Sequence, residues 1–543
     1  MIDTSVQRLV GSPKGARVRS RAVGEKSPVP SAPSPRIRRG WVDPLWLGAL
    51  GAIVVAIGSW IPSKWNDEAA TQTAALRSLP HLWQMIQNID AVHATYYFLM
   101  HFWLLAFGTS NFALRAPSMI AVGFACAGVV VLGRRLGGRR LAIFAGLAFV
   151  LLPRVTWMGM EARSQALTAV VAVWLTILLL RAVERRTIGW WALYAGIAGV
   201  GVLLNIYVAL LVLAHGVTIV IARRRLANPG RLLVGWGASA AVAAALSFPI
   251  DRLSLAQTGQ LPFGPLTLTG TLNTLLFEQY FSGATPTVAR GVPVPPTSLW
   301  AIAVILAATL GWIMILAPIA RRYFRPIPPR PVSLGFLGLV VPWIVVPTAL
   351  VLLYSLIGHP MYSGRYFAFT TPAVALLIGA TVSALRLPWF RIAAIGLLAL
   401  LVLPVYLSQR TPTSKNGTDW QQAAAILQTH AKPGQVIYYG PAKDGSNVSM
   451  HKIGQAYPAV ISTLHDIALK QTSIQVSLLW GTHWPLTHAK AVLQTTPLLW
   501  AVIEHPRTVS QNSTKSERYI ESQGLHLVHI WRGSETDILE FSR

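Results

Sequence analysis

Apolar positions along this chain come in runs of about 16–24 residues, broken by short stretches rich in Arg, or in Pro and Gly. A helix needs about 20 apolar residues to cross ~30 Å of hydrocarbon, so the runs read as transmembrane helices. Eleven are expected: Leu45–Ile61, Leu114–Leu132, Leu141–Leu152, Gln165–Leu180, Trp190–Leu204, Tyr207–Ile221, Leu232–Phe248, Leu299–Ala317, Leu334–Leu356, Phe367–Leu385 and Ile392–Leu407. From residue 409 onward the pattern becomes polar. Thr418 is placed to cap a helix over Asp419–His430, and strand-like runs follow at Gln435–Tyr439, Ala459–Ser462, Leu498–Ile503 and Leu525–Trp531. The expected fold class is a mainly α polytopic membrane protein with a small C-terminal α/β domain. Its parts are a tail at 1–40, a membrane domain at 41–408 with a first loop at 62–113, and the α/β domain at 409–543.

Charge orients this scheme. Only 12% of residues are charged, about half of the ~25% usual in soluble domains. The net charge of +27 would suit a nucleic-acid binder. Its Lys and Arg residues lie instead in short loops such as 133–140, 223–225 and 321–330, as cytoplasmic loops require. No nucleic-acid partner is expected. The basic, Pro- and Ser-rich tail reads as disordered and cytoplasmic, which sends the α/β domain outside the cell. Tyr96–Phe107 is apolar enough for a short span, but a crossing there would invert every later loop. It is therefore expected to lie at the outer interface. The lone Cys126 falls inside an apolar run and excludes a disulfide within the chain.

Residues 41–408 hold eight carboxylates, and the scheme puts six of them on the outer side: Asp67, Glu68, Asp90, Glu161, Asp251 and Glu278. Acids near hydrocarbon face a cavity, a partner or a substrate, so chemistry belongs at that face. Asp67 and Glu68 stand just past the first span. Neighbours on a helix point about 100° apart, so one suits a general base and the other a metal ligand or structural partner. The alternative is a pair of solvated loop acids. Three outer arginines defy the charge rule and need anions: Arg115, Arg163 and Arg365. Arg115 suits a phosphate or an anchor to Glu161 or Asp67, Arg163 an anion or a Glu–Arg network tying helix ends, and Arg365 a phosphate or a snorkelling place at the interface. Glu161 opens the fourth span beside Arg163. His359 and Tyr366 flank Arg365, Tyr96 belongs to the interfacial segment, and Glu278 stands in the long fourth outer loop. Asp90 and His93 lie one helical turn apart and suit either a metal pair or a hydrogen-bonded pair. Walker, CxxC and HExxH motifs are absent, against ATP-driven pumps and zinc proteases.

The order of these residues resembles the GT-C glycosyltransferases, in the group that includes protein O-mannosyltransferases and lipid A aminoarabinose transferases. The resemblance rests on the Asp67-Glu68 pair after the first span, on Phe107-Gly108-Thr109-Ser110-Asn111-Phe112-Ala113-Leu114-Arg115-Ala116-Pro117-Ser118, on Pro153 followed by Glu161-Ala162-Arg163, and on Gly364-Arg365-Tyr366. It covers residues 41–408, and the outer domain is similar to that of actinobacterial members. It departs from aminoarabinose-type members at Val92–Tyr97, where a Pro-Pro or Lys-Pro pair is usual. The resemblance implies transfer of a monosaccharide, mannose as best guess, from a polyprenyl-phosphate donor. The acceptor would be a cell-envelope glycan, a lipid or a protein outside the cell. Asp67 would be the base in an inverting displacement. Arg365, Arg163 or Arg115, or a divalent cation (Mg, Mn or Zn), would hold the leaving phosphate. The competing readings are a transporter or flippase of lipid-linked substrates and a non-catalytic assembly protein. The enzyme reading requires Asp67, Glu161 and the outer arginines to converge on one cavity.

Overall fold

A computed structural model describes residues 39–260, 264–283, 299–324, 334–440, 450–504 and 511–543. The expected tail up to residue 38 and the Pro-rich loop at 325–330 lie outside the described residues. Each of the eleven apolar runs falls on or overlaps a helix. By length and composition, seven helices among the described residues can cross a membrane. One of them, Asn111–Leu151, has 41 residues and carries two of the expected runs as two legs meeting at Gly138, where φ is 85°. The other three runs rest on the shorter helices Arg39–Ala56, Ile188–Leu204 and Val208–Ala222.

Ser110 starts the long helix by accepting a hydrogen bond from the Ala113 amide at 3.1 Å, an N-cap that satisfies an otherwise orphaned donor. From Arg115 to Arg134 its first leg rises roughly 30 Å. At the far end Arg139 grips Asp43 through two hydrogen bonds of 2.8 and 2.9 Å, and Arg134 joins them. The Arg clusters and the acids named above therefore occupy opposite ends of this leg. The second leg returns against Thr371–Ser383. A Cβ on Gly379 would come within 2.5 Å of the Ala145 nitrogen, so the two backbones approach as only glycine permits.

Beyond the last span stands a five-stranded sheet. Its strands are β1 (Val436–Gly440), β2 (His465–Asp466), β5 (Leu498–Glu504), β6 (His526–Arg532) and β7 (Thr536–Ser542), in the order β2-β1-β5-β7-β6. The β1 strand is parallel to β2 and β5, while β7 runs antiparallel to β5 and β6. A separate ribbon pairs β3 (Leu469–Gln471) with β4 (Thr482–His483). One face of the main sheet buries Ile437, Tyr439, Trp500 and Val502 under the helix Trp420–His430. Ala69 of the first loop joins that same core, so the domain is packed onto the membrane half.

Two local expectations are corrected. The run at Ala459–Ser462 is not a strand; Pro458 starts the helix Pro458–Ile461 there, because its φ is preset for a first helical turn. Thr418 does not cap the next helix. Its hydroxyl donates back to the Lys415 carbonyl at 2.7 Å, and Asp419 holds the N-cap position.

Gly138→Ala forces a Cβ into positive φ and should destabilise the protein by about 1–2 kcal/mol. Gly237→Ala, whose added Cβ meets no atom within 4 Å, should raise stability by roughly 0.5–1 kcal/mol. Thermal unfolding of the detergent-purified protein compares the two.

Candidate active site

The helix Asn66–Ala75 follows the helix Arg39–Ala56 after a short irregular segment. Two acids in its first turn favour helix formation by offsetting the partial positive charge of its amino end. Its alanines at 69, 70, 74 and 75 are buried, and their small size lets the helix lie close against its neighbours.

Glu68 turns into the protein. Arg115 meets it with Nε at 2.8 Å and Nη2 at 2.6 Å, both side chains fully shielded from solvent. The remaining donors of Arg115 reach the carbonyls of Ser59 at 2.5 Å, Pro62 at 2.9 Å and Ser63 at 3.2 Å. This bears on two expectations. Both oxygens of Glu68 are engaged, so it takes the place of the structural partner expected of one acid of the pair, and Arg115 pairs with Glu68 instead of Glu161 or Asp67, with no donor left over for a phosphate in this arrangement. Glu68 also accepts the Ala162 amide at 3.2 Å, while Thr71 donates to the Ala162 carbonyl at 2.9 Å and Ser118 to the Glu161 carbonyl at 2.6 Å. The segment Glu161–Arg163 is thus pinned on both sides.

Asp67 points the other way, into a cavity of about 1280 Å³. Arg365 Nη1 lies 2.7 Å from its Oδ2 and Arg163 Nη2 lies 3.3 Å from its Oδ1. Burial raises the pKa of Asp67, but the two guanidinium groups outweigh it and hold the carboxyl below the usual carboxylate range. Arg163 also donates to the Tyr97 hydroxyl at 3.1 Å, and that hydroxyl donates to Asp90 at 2.7 Å. Arg365 is wedged between rings, its guanidinium 5.1 Å from the Tyr366 centroid and 5.8 Å from that of Trp65, both within cation–π reach.

Asp67, Asp90, His93, Glu161, Arg163, Glu278, Arg365 and Tyr366 all line this one cavity. Neither carboxylate oxygen of Glu161 has a hydrogen-bond partner among the described residues, and burial raises its pKa. Glu278 is held by its own turn, through Asn273 at 2.9 Å and Thr274 at 3.0 Å. Four candidates do not join them. Glu68 and Arg115 lie behind the wall, and His359 sits in a turn against the Pro360 carbonyl at 3.1 Å. Tyr96 is buried away from the cavity; Tyr97, beside it in sequence, carries the contact to Arg163.

Sequence reasoning missed Arg154, Tyr97 and Lys415. Arg154 lines the cavity and donates to the carbonyls of Gln279 and Glu278. It is a further outer arginine at a helix start, the signal that marked Arg115 and Arg365. Lys415, wholly buried, holds its ammonium 4.0 Å from the Trp157 ring. It is the first lysine after the last span.

Asp67 faces two guanidinium groups, Arg365 and Arg163. Asp90 and His93 both reach the cavity, but Asp90 is engaged by Tyr97.

The family model described as dolichyl-phosphate-mannose-protein mannosyltransferase matches residues 94–248. No curated protein matches the sequence significantly. Among solved structures, ArnT from Cupriavidus metallidurans in the apo state aligns over 93% of this chain and 98% of its own, with 13% identity and a TM-score of 0.54. The same protein bound to undecaprenyl phosphate aligns over 92% and 98%, again at 13% identity, with a TM-score of 0.53. The chain has the GT-C fold. Its apolar helices are those of a multi-pass membrane protein, and the cavity lies where its first loop, its membrane helices and its α/β domain meet.

Two outcomes follow from the ion pairs. Replacing Arg115 by Met strands Glu68 as a buried, unpaired charge, which should cost about 3–5 kcal/mol and show as a large drop in Tm. For Asp67, a folded pKa below the unfolded one means a stabilisation present above about pH 4 and lost as pH falls through the lowered folded value. The Tm difference between wild type and Asp67→Asn should stay constant near neutrality and close in acid.

Proposed function

We propose that this protein is a membrane glycosyltransferase that moves a monosaccharide from a polyprenyl-phosphate donor to an acceptor hydroxyl outside the cell. The observation that carries this reading is a carboxylate, Asp67, set between two arginines at a cavity that also has an apolar wall. That wall includes Phe277, Trp300, Val304 and Ile305. Ile305 and its neighbour Ile302 are about half exposed, at 48% and 46%, as a helix edge facing lipid would be. A prenyl tail can lie along this edge with its phosphate reaching Arg365.

In the proposed reaction the acceptor oxygen attacks the anomeric carbon as Asp67 takes its proton. The bond from that carbon to the phosphate oxygen breaks on the opposite face, inverting the configuration, and the lipid phosphate leaves with the electron pair. Asp67 paired to two guanidinium groups is a weak base. An arriving phosphate competes for Arg365 and Arg163, and as they turn toward it the carboxylate regains basicity. Donor binding thereby prepares the base, and the same arginines stabilise the charge that grows on the leaving group. No step is assigned to a metal. The actinobacterial likeness of the sequence favours mannose as the sugar and a cell-envelope glycan, lipoglycan or protein as acceptor.

Membranes supplied with labelled polyprenyl-phosphate mannose test the reading. Asp67→Asn should reduce transfer on the order of 10²–10⁴-fold, and Arg365→Gln by roughly 10²–10³-fold. Equal transfer by wild type and Asp67→Asn would remove Asp67 from the chemistry. Absence of transfer in wild type, with transfer from another polyprenyl-phosphate sugar, would change the donor and leave the class intact.

A further inference from the structure

The α/β domain carries a second cluster of ligand-type side chains that the proposed reaction does not use. His451 precedes the helix Lys452–Ala456, Asp466 ends β2 and His483 ends β4. Each offers one ligand atom, and these atoms all lie within 4.8 Å of one another. His451 Nε2 is 2.9 Å from Asp466 Oδ2, and their side chains are only 9% and 16% exposed. His483 is buried, and its ring centroid lies 3.3 Å from that of His451 at an interplanar angle of 46°. The rings are tilted rather than stacked.

A hydrogen-bonded Asp–His pair would need one imidazole. A second imidazole brought out of water to the same point adds desolvation cost, and two protonated rings there would repel each other. A cation reverses that balance, because neutral imidazoles and a carboxylate are its natural ligands. A second observation points the same way. The Tyr439 ring packs 4.7 Å from His451, and its buried hydroxyl has no hydrogen-bond partner among the described residues. A water filling the fourth position of an ion held by these three side chains would supply one.

We propose that His451, Asp466 and His483 bind one divalent transition-metal ion, with zinc the choice of their chemistry. Two imidazoles and a carboxylate match the mixed N/O sets that zinc takes, whereas magnesium and calcium favour oxygen. Ligand atoms about 2 Å from a tetrahedral ion stand roughly 3–3.5 Å apart, so the cluster needs to close only slightly. None of the three residues lines the main cavity, so the role is structural. The ion ties β2, β4 and the start of Lys452–Ala456 together. That helix ends at the Ala456 carbonyl, which accepts from Lys64 at 2.9 Å and from Gln72 at 3.0 Å, and Gln72 shares its helix with Asp67. Just before β4, Leu479 and Trp480 form part of the cavity wall. The ion would hold that wall from behind.

The test uses the full-length protein in detergent, stripped with a chelator and reloaded with zinc or cobalt(II) salts. Wild type should retain about one zinc per chain, gain Tm on zinc addition, and show the visible bands of four-coordinate cobalt. Asp466→Asn and His483→Ala should lose the bands and the zinc-dependent Tm gain, while His93→Gln keeps both. His483→Cys, which preserves a ligand if the alanine variant fails to fold, should add a thiolate-to-cobalt charge-transfer band. No retained zinc and no Tm response in wild type would overturn the proposal, as would a signature lost in His93→Gln but kept in Asp466→Asn, or the absence of the thiolate band. Each readout is independent of glycosyl transfer, so the failure of one proposal leaves the other standing.

Discussion

Arg115 directs all five of its N–H groups into the protein, two to Glu68 and three to backbone carbonyls just beyond the first span. In a site fully shielded from solvent, each of those groups would otherwise be an unpaired donor, and Glu68 an unpaired charge. The network therefore locks the chain leaving the first helix to the start of the long helix Asn111–Leu151. Removing either partner of such a buried pair costs far more than forming the pair contributes, so the arrangement behaves as all-or-none. The direction of Asp67 depends on it. With Glu68 drawn inward, the preceding residue on the same helix turn must face the cavity.

From that lock the rest of the site follows by short links. Glu68 and Thr71 hold Ala162, which presents Arg163 to Asp67 and Tyr97. Across the cavity, Arg365 arrives from the turn before Thr371–Ser383 and completes the pairing at 2.7 Å. On the α/β side, Lys64 donates to Gln72, to the Thr109 carbonyl and to the Ala456 carbonyl, joining the base of the site to its cap. Oppositely charged groups are thus distributed over the first loop, two membrane helix ends and the last domain. A ligand that changes one pair shifts the balance of the others, which is the physical basis for the coupling of donor binding to Asp67 basicity proposed above.

The mixture of a sealed ion pair and an accessible one separates two jobs among similar residues. Glu68 and Arg115 are fully shielded, and their charges serve the fold. Asp67 and Arg365 keep 14% and 31% side-chain exposure, so an anion can reach the guanidinium and compete. Glu161 is a third case, a buried acid without a hydrogen-bond partner among the described residues, whose pKa is raised by burial and lies on the opposite side of its ordinary value from that of Asp67. Two carboxyls pushed apart in this way in one cavity can hold different protonation states at one pH.

The sequence by itself determined the helices and the end of the bundle where the acids gather. Runs of apolar residues and loops of arginine are one-dimensional signals, because crossing hydrocarbon and keeping charge out of it constrain the chain residue by residue. The same logic singled out Asp67, Arg163 and Arg365, each a charge out of place in its local pattern. What it left open was which charge meets which. Arg115 was free to pair with Glu161 or Asp67, or to bind phosphate, until packing set it against Glu68. Tyr97 could not be told from Tyr96, since a residue's facing depends on the neighbours of its helix. The run at Ala459–Ser462 reads as a strand until Pro458 is seen starting a helix turn. Nor does any spacing in the sequence bring His451, Asp466 and His483 to one point. Those choices depend on contacts between residues far apart in the chain, and only the tertiary structure makes them.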